Sequence, residues 1–558
     1  MARSAGPSEV EQVKEQSRAL RGHLKESLAD GATAFDDDGY SLLKFHGIYQ
    51  GYDRDSATEL KQRGEDKHYQ LMVRARIPGG RLTAAQYLAF DALADRHANG
   101  TLRLTTRQSI QLHGVLKRDI KATIAAIDGA LLTTLAACGD VVRTVTTVPA
   151  PIRDAVHERL AEDARRISRH MLPQSRAYHE IWLDGAPVAG EAEETLYGRT
   201  YLPRKFKIGI ATPEDNSVDV FTNDLGIIAL FEGERLQGYN FALGGGLGMT
   251  HNNPRTYPRL ASLVAFVEPD DLVAAAEAVV KLHRDHGDRS NRRHARLKYI
   301  IAEQGEAWAK ARLEEYLGKS LEAPRPMPAF RVQDHLGWHE QGDGRLYLGV
   351  PVPSGRIGGA LKAALRDVVE RFELDPVITP TQDVILGNVR PGHREAVESI
   401  LRAGGADFDL SPARRWSLAC PALPTCGLAL TEAERVQDPL VGGIEAVLAR
   451  HGLADETLSI RITGCPNGCA RPYAGDIGIV GRMPGFYALF VGGDFAGTRL
   501  NFLLLDRVAE DAVATTLEPL FALFAAERAA GEGFGDFCHR AGKERLLAAL
   551  GHSLKEAS

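Results

Sequence analysis

The sequence has no apolar run that approaches the ~18 uncharged residues needed to span a bilayer. Its first residues, Met-Ala-Arg-Ser-Ala-Gly-Pro-Ser-Glu-Val-Glu, lack the apolar centre of a signal peptide. It has no Walker A motif, and its glycine cluster at 243–248 is not a dinucleotide fingerprint. The formal net charge of −6 argues against general nucleic-acid binding. We therefore expect a cytoplasmic protein that binds no membrane, nucleic acid or nucleotide.

Cysteine is scarce, at six residues in 558, yet four of the six are clustered near the C-terminus. Their spacing is C-x5-C and then C-x3-C, formed by Cys420, Cys426, Cys465 and Cys469. Four thiols brought together either hold a soft metal centre or pair as disulfides, and reduced cytoplasmic thiols favour the metal. The five-residue gap lies outside the usual spacing of structural zinc sites, which favours an iron–sulfur cluster and leaves zinc as the alternative. Cys138 and Cys538 are interpreted as buried or incidental thiols.

Two internal repeats divide the chain. In the first, Gly80-Arg81 matches Gly355-Arg356 and segment 104–115 matches 378–389, with the same Thr-x-x-Gln pattern. In the second, 223–227 matches 475–479, and each copy runs on to a glycine cluster. The order along the chain is A, B, A′, B′. It predicts two halves related by a pseudo-twofold axis, with a shared site where they meet.

Hydrophobic spacing predicts a mixture of helices and strands. The expected helices are Ala84–His97 and Pro269–Arg284. The expected strands are Leu71–Ile77, Arg103–Val115, Phe206–Ile210 and Ile477–Val480. This is an α+β pattern, and the length suits roughly three or four domains. The charged residues 1–70 are interpreted as an N-terminal extension, either solvated or a partner-docking arm.

Polar residues alternate along the predicted strand that begins near Leu102. Its odd positions include Arg103, Arg107, Gln111 and His113, whereas its even positions are mainly apolar. Side chains alternate between the two faces of a strand, so these four are expected on one face. Two arginines on such a face suit a ligand that bears several carboxylates. An ordinary half-exposed strand is the alternative.

Two pairs of cations are each spaced two residues apart on predicted strands. They are Lys205 with Lys207, and Arg74 with Arg76. Like charges that point the same way repel unless an anion lies between them. The pairs therefore indicate an anion site, with a solvated surface strand as the alternative.

These residues resemble the siroheme and 4Fe–4S sulfite/nitrite reductase family, and within it the haemoprotein (β) components of assimilatory NADPH-sulfite reductases. The resemblance runs from about Leu20 to near the C-terminus. It is carried by Lys44–Tyr49, Arg76–Gly80, Arg103–Gly114, Tyr201–Lys207, the Gly244 loop, Cys420–Cys426, Thr463–Cys469 and Gly531–Phe537.

The family resemblance implies a division of the chain. Residues 71–150 and 330–405 would be paired ferredoxin-like half-domains. Residues 151–329 would form the first siroheme-binding half-domain, and 406–558 the second, which carries the 4Fe–4S cysteines. The implied fold has mixed and antiparallel sheets flanked by helices, with the cofactors at the interface of the halves.

The resemblance also implies roles for individual residues. The four clustered cysteines would hold the cluster, and Cys469 would also be the axial ligand of the siroheme iron. The cations around the substrate anion would be Arg74, Arg143, Lys205 and Lys207. The residues that hold the siroheme carboxylates would be Arg103, Arg107, Gln111, His113, Arg204 and Gln382. The implied reaction is the six-electron reduction of sulfite to sulfide.

The electron donor must be another polypeptide, because the sequence shows no flavin or NADPH motif. The resemblance implies an NADPH-oxidising flavoprotein with FAD and FMN, or else ferredoxin. One alternative function is a ferredoxin-dependent siroheme nitrite reductase that forms ammonia. Lys207 argues against it, since nitrite-reducing relatives tend to have Asn there. Another alternative is a zinc protein whose basic strands bind polyanions.

Overall fold

The computed structural model describes residues 6–175 and 194–552, which form four β-sheets flanked by helices. The α-helices are Glu9–Gln16, Leu24–Ser27, Asp37–Leu43, Ala57–Gln62, Ala84–His97, Ile120–Gly129, Ala155–His170, Leu272–His286, Leu297–Gln304, Glu306–Leu317, Gly359–Phe372, Arg394–Ala403, Pro412–Arg415, Gln437–Arg450, Val513–Glu527 and Phe534–Ala549. None of the helices in these ranges is long and apolar enough to cross a membrane.

Two sheets, named A and A′ here, are antiparallel throughout. The strands of sheet A are β1 (Ile48–Tyr52), β2 (Tyr69–Arg74), β3 (Leu102–Leu104), β4 (Ile110–Val115) and β11 (Arg356–Ile357), in the order β1-β2-β4-β3-β11. The strands of sheet A′ are β9 (Gly337–Glu340), β10 (Leu346–Val350), β12 (Asp375–Ile378) and β13 (Val384–Val389), in the order β12-β13-β10-β9. Sheet A therefore takes its last strand from the second half of the chain.

The other two sheets, B and B′, are mixed. The strands of sheet B are β5 (Ile208–Ala211), β6 (Leu225–Glu232), β7 (Arg235–Leu243) and β8 (Ser262–Val267), in sequential order. The strands of sheet B′ are β14 (Ser417–Ala419), β15 (Ile460–Thr463), β16 (Ile477–Met483), β17 (Phe486–Val491) and β18 (Phe502–Ala509), also in sequential order. Each sheet begins with parallel pairing and ends with antiparallel hairpins. A large apolar core runs through A, B and A′, and a second core lies in B′.

Equivalent glycines interlock the two A sheets. A Cβ on Gly80, where φ is +72°, would collide with the carbonyl oxygen of Ile378. A Cβ on Gly355, where φ is +70°, would lie 2.7 Å from the carbonyl oxygen of Leu104. Ile378 and Leu104 are themselves equivalent in the repeat, so each copy packs against the other in the same way. Only a residue without a side chain fits at either position.

The Thr-x-x-Gln segments form the same turn in both copies. Gln108 N donates to the carbonyl oxygen of Thr105 at 2.9 Å, and Gln382 N donates to that of Thr379 at 3.2 Å. Both glutamines have positive φ, at 51° and 73°. The predicted α+β fold and its A, B, A′, B′ duplication are confirmed.

The repeat in the B sheets has an equally specific basis. Asp224 accepts a hydrogen bond from Lys207 N at 2.8 Å, and Asp476 accepts one from Ser459 N at 2.8 Å. Each aspartate thus joins the start of one strand to the start of its parallel neighbour. The pattern fixes Ser459 as the counterpart of Lys207.

The predicted strand over Arg103–Val115 is wrong in one respect. The segment is a hairpin, with β3 and β4 joined by the turn 105–109. The turn depends on Gln108, whose positive φ has no glycine, proline or asparagine to signal it in the sequence. Arg107 therefore lies in the turn and not on the strand face with Arg103.

The other strand predictions differ at their ends. Lys205 and Lys207 precede β5, and Arg76 lies beyond β2. Arg76 is buried and donates to the carbonyl oxygens of Ala136 and Val142 at 3.0 and 2.8 Å. It therefore does not form an anion-binding pair with Arg74. The helix Ala84–His97 is confirmed residue for residue, because Thr83 and Gln86 form a capping box at its start.

The N-terminal segment is not a solvated tail. β1 belongs to sheet A, and the helix Glu9–Gln16 buries Glu11 and Lys14. Leu20 and Leu24 are also fully buried. Residues 9–52 are thus built into the body of the protein.

Candidate functional site

The clustered cysteines meet because their loops leave neighbouring parallel strands at the same edge of sheet B′. Cys420 directly follows β14, and Cys465 lies just beyond β15. Cys420 N donates to the carbonyl oxygen of Ile462 at 3.2 Å, and Gly464 N donates to the sulfur of Cys420 at 3.4 Å. The strand register therefore brings the C-x5-C loop against the C-x3-C loop.

The four sulfurs share one small region. Burial first, and then the charge of Cys469, raise the pKa of Cys420, Cys426 and Cys465, the last to about 12. All six cysteines are free, so the disulfide alternative is wrong. Within the described ranges no three Cys, His, Asp or Glu side chains lie close enough to hold a single metal ion.

Cys469 differs from its three partners in facing outward. Its side chain is exposed, and its sulfur accepts a hydrogen bond from Asn467 Nδ2 at 3.3 Å. Its carbonyl oxygen accepts from Thr106 Oγ1 at 3.1 Å, which ties it to the β3–β4 turn of sheet A. Cys469 therefore lies where the two halves meet.

Arg103 supports the first cysteine loop from sheet A. Its side chain is 1% exposed and donates to the carbonyl oxygens of Ala419 at 2.8 Å and Leu104 at 2.9 Å. Its Nε donates to Glu434 at 3.1 Å. Ala419 directly precedes Cys420, so Arg103 fixes the position of that ligand. Its role toward a cofactor carboxylate stays a prediction.

The Gly244 loop, residues 243–248, packs against the second cysteine loop, residues 465–469. Met249 N donates to the carbonyl oxygen of Pro466 at 2.9 Å, and a Cβ on Gly248 would lie 3.2 Å from Asn467 Oδ1. Lys298 holds this glycine loop, because its Nζ donates to the carbonyl oxygens of Gly246 at 3.1 Å and Gly248 at 2.9 Å. The glycines thus allow this loop to approach the backbone of the second cysteine loop closely.

The predicted substrate cations lie on three adjacent segments and are half-buried. Arg74 ends β2, Arg143 lies on the segment 140–146, and Lys205 and Lys207 lie on the segment before β5. The last two segments run parallel, since Arg143 N donates to the carbonyl oxygen of Phe206 at 2.9 Å. Arg143 Nη2 also donates to Tyr49 Oη at 3.3 Å. Arg143, Lys205 and Lys207 act on one another electrostatically, and Arg74 donates to Cys138 Sγ at 3.0 Å.

The two lysines are strongly perturbed. Burial, followed by the charges of Arg107 and Arg296, lowers the pKa of Lys207 to about 7, whereas Cys469 acts in the opposite direction. Burial and then Arg204 and Arg143 hold the pKa of Lys205 well below its ordinary value. The dominant charges around both ammonium groups are cationic. An anion in this space would relieve the repulsion.

The polar face of sheet A is short of hydrogen-bond acceptors. With its amide oxygen toward Arg74, Gln111 accepts from Arg74 Nε at 3.0 Å and donates to His113 Nε2 at 3.0 Å. Burial, and the charges of Arg356 and Arg103, hold the pKa of His113 well below its ordinary value, so the ring is neutral. Its Nδ1–H then faces Arg356 Nη2 at 3.4 Å, which places two donors together. The face suits a ligand that supplies acceptor oxygens.

Arg107 and Arg204 extend the cationic surface. Arg107 donates to Asn223 Oδ1 at 2.5 Å and to the carbonyl oxygen of Ile208 at 2.8 Å, and its buried Nε has no partner among the described residues. Arg204 lies 4.0 Å from Asp140, and burial lowers its pKa to about 10.

Gln382 occupies a different place from the other predicted carboxylate-binding residues. It lines a cavity of about 520 Å³ between sheet A′ and the helix Gln437–Arg450, and its Oε1 has no partner within the described chain. Its assignment to the siroheme stays a prediction.

The duplication provides an internal comparison for sheet A. Gly349 pairs with Ile385 in A′ as Arg74 pairs with Gln111 in A. The second copy thus has a glycine and an isoleucine where the first has an arginine and a glutamine. The same holds in the B sheets, where Ser459 replaces Lys207. The cations belong to the first copy and the cysteines to the second, so the site needs both halves.

Two ion pairs close to the predicted substrate cations were not identified from the sequence. Arg296 pairs with Asp224 at 2.7 Å, and Arg292 pairs with Asp140 at 2.6 Å. The basic run at 292–298 was the available signal. Its partners could not be found from sequence, because they lie on distant segments.

The residues present fit a siroheme and a 4Fe–4S cluster. Four free thiols in one region match the ligands of such a cluster. An acceptor-poor polar face and the unpartnered, buried Nε of Arg107 match a macrocycle that bears several carboxylates. The two sets meet at Cys469.

Comparison with family models gives two matches, each in two pieces. The model described as nitrite and sulphite reductase 4Fe-4S domain matches residues 162–321 and 418–557. The model described as nitrite/sulfite reductase ferredoxin-like half domain matches residues 62–130 and 339–404. Two half-domains and two 4Fe-4S domains therefore alternate along the chain.

Curated relatives match over nearly the full length. The sulfite reductase (NADPH) hemoprotein beta-component of Myxococcus xanthus is 50% identical over 544 residues, which cover 96% of each chain. The sulfite reductase (ferredoxin) of Synechococcus elongatus is 44% identical, covering 98% of this chain and 92% of the relative. Among solved structures, the Mycobacterium tuberculosis NirA protein has a TM-score of 0.81 and 25% identity, covering 97% of this chain and 98% of the other.

Proposed function

The chain belongs to the nitrite and sulphite reductase family with a 4Fe-4S domain, and from this premise we propose that it is the haemoprotein subunit of a sulfite reductase. The substrate is sulfite and the product sulfide. Relatives named as sulfite reductases at 44–50% identity support this choice over nitrite.

One observation carries the proposal: Lys207 lies within electrostatic reach of both Cys469 and the neighbouring arginines. Cys469, predicted to hold both cofactors, and Lys207, predicted to bind the substrate, therefore border the same region. The cofactors and the substrate anion would have to share that region.

The four cations act on the substrate by charge. Arg74, Arg143, Lys205 and Lys207 would bind the sulfite dianion and polarise its S–O bonds as negative charge builds on oxygen. Since the pKa of Lys207 is lowered to about 7, its ammonium can release a proton near neutral pH. Protons are needed because each oxygen leaves sulfur as water.

The protein holds the cofactors through the residues described above. Siroheme and the 4Fe–4S cluster, when bound, would carry electrons from the donor to the substrate. Cys420, Cys426, Cys465 and Cys469 would hold the cluster. The macrocycle carboxylates would be bound by Arg103, Arg107, Gln111, His113, Arg204 and Gln382.

The electron donor is a separate polypeptide in this proposal, and we infer an NADPH-oxidising flavoprotein with FAD and FMN. The Myxococcus xanthus relative is named as an NADPH enzyme component. The Synechococcus elongatus relative is named as a ferredoxin enzyme, so ferredoxin is the competing donor. We place the protein in the cytoplasm, where thiolate ligands stay reduced.

The test is a visible spectrum of the purified protein, with iron and acid-labile sulfide counts and sulfite turnover with each donor. A strong visible spectrum, cluster iron and sulfide production are expected. A colourless protein that contains zinc would overturn the cofactor assignment. Turnover of nitrite far above that of sulfite would instead support the nitrite reductase.

A further inference from the structure

Lys14 is a lysine buried in the protein by an N-terminal helix. Its side chain is 1% exposed and pairs with Glu11 one helical turn away. Its Nζ donates to the carbonyl oxygen of Leu202 at 2.8 Å and lies 3.7 Å from Asp140 Oδ2. A buried ammonium is costly unless its partners are well placed, so these contacts are specific.

Leu202 and Asp140, two of the residues that Lys14 contacts, also contact each other. Leu202 N donates to the carbonyl oxygen of Asp140 at 3.0 Å. Lys14, Leu202 and Asp140 therefore form a closed ring of three contacts. The ring joins the segment that begins at Asp140 to the segment that begins at Leu202. Backbone hydrogen bonds beyond the ring also connect these two segments.

Both segments lead directly to the predicted substrate cations. Three residues after Asp140 comes Arg143, and three residues after Leu202 comes Lys205. Between ring and cations, Phe206 N donates to the carbonyl oxygen of Val141 at 3.1 Å. The spacing of Arg143 and Lys205 therefore depends on the register that the ring sets.

The geometry points to Lys14 as a positioning residue of the anion site: it ties together the two segments that carry Arg143 and Lys205. The inference rests on the proposed function, since it concerns the same anion site. It gives the N-terminal helix a role in substrate binding.

Neighbouring charges strengthen the ring. Asp140 also pairs with Arg292 at 2.6 Å and lies 4.0 Å from Arg204. Glu11 pairs with Arg289 at 2.5 Å, and Arg289 Nη2 donates to the carbonyl oxygen of Tyr201 at 2.7 Å. Lys14 and the Glu11–Arg289 pair thus connect the helix to the carbonyl oxygens of Leu202 and Tyr201. Loss of Lys14 removes its contacts with Leu202 and Asp140, while Asp140 keeps its pair with Arg292.

The experiment compares Lys14→Met with the wild-type holoenzyme. The dissociation constant of sulfite is measured by titration of the visible spectrum of the oxidised protein, alongside KM and kcat. We expect the dissociation constant and KM to rise by about tenfold, since small displacements of binding groups have effects of this size. Lys14→Arg, which keeps the charge, should recover most of the affinity. Lys25→Met, on an exposed part of the same segment, should leave all three values unchanged.

A second variant guards against misfolding. Glu11→Gln combined with Lys14→Met removes the buried charges together, yet it still lacks the contact with Leu202. A folded Lys14→Met or double variant with wild-type sulfite affinity would overturn the inference. So would failure of both to fold, which would make Lys14 a folding residue. A wild-type protein that does not reduce sulfite would refute the proposed function instead, and the binding titrations would still report on Lys14.

Discussion

Asp219 and Arg471 occupy equivalent positions in the two halves and form a buried ion pair, with Arg471 Nε 3.0 Å from Asp219 Oδ2. Each has a left-handed backbone, with φ of 48° and 60°, and each precedes a short 3-10 helix. A pair formed by equivalent residues lies on the pseudo-twofold axis. Arg461 Nη1 joins it at 2.6 Å from Asp219. Arg471 follows Cys469 by two residues, so the first half anchors the second cysteine loop.

Asp219→Asn should destabilise the protein by about 3–5 kcal/mol, because two buried arginines lose their counter-charge. The free energy of unfolding by urea measures this change. The iron content should fall as well, since the cysteine loop loses its anchor. Glu234→Gln, in an exposed turn, should change stability by no more than about 0.5 kcal/mol. Equal stability of the two variants would contradict the anchoring role.

Lys207→Asn should lower sulfite turnover by at least about tenfold while nitrite turnover survives or rises. Sulfite carries two negative charges and nitrite one, so the loss of a cation weakens sulfite binding more. Steady-state kinetics with both anions and one electron donor measure the ratio. Lys61→Asn, an exposed lysine, is the control. A parallel fall in both activities would show that Lys207 does not discriminate.

Cys469→Ser should abolish sulfite turnover and alter the visible spectrum, because this residue is the only predicted ligand of both cofactors. Spectra and iron counts on the purified variant measure the effect. Cys538→Ala is the control, since Cys538 is a buried free cysteine outside the two cysteine loops. Full sulfite turnover by Cys469→Ser would disprove the shared-ligand assignment.

Asp383→Asn should flatten the dependence of stability on pH. Burial raises the pKa of Asp383 to about 7, so the folded protein binds a proton that the unfolded chain releases near pH 4. The stabilising contribution is therefore complete below about pH 4 and lost as pH rises through 7. Between about pH 5 and 7 the wild type should lose up to about 1.4 kcal/mol per pH unit more than the variant. Urea unfolding across that range measures it, and parallel curves would contradict the assignment.

The features that sequence predicted are those with a local or repeated signature. The helix Ala84–His97 was predictable from its spacing and its capping residues. The cysteine centre was predictable because C-x5-C and C-x3-C stand out in a chain with six cysteines. The duplication was predictable because both copies keep the same turn and glycine positions.

The features that sequence missed depend on contacts between distant segments. The hairpin at 105–109 was not predictable, because the Gln108 side chain is held by the carbonyl oxygens of Gly79 and Ile378, which lie in different halves. The burial of Lys14 was not predictable either, since its partners Asp140 and Leu202 lie far along the chain. A charged segment such as the one around Lys14 is interpreted as solvated when the residues that pair with it cannot be identified from the sequence.

Sheet A is completed by β11, a strand from the opposite half of the molecule. Either half produced alone would leave an open sheet edge and would aggregate. A protein nicked by protease between the helix Glu306–Leu317 and β9 would keep its two fragments joined, and mixed fragments should reassemble only when both are present. The duplicated units have thereby lost their structural independence.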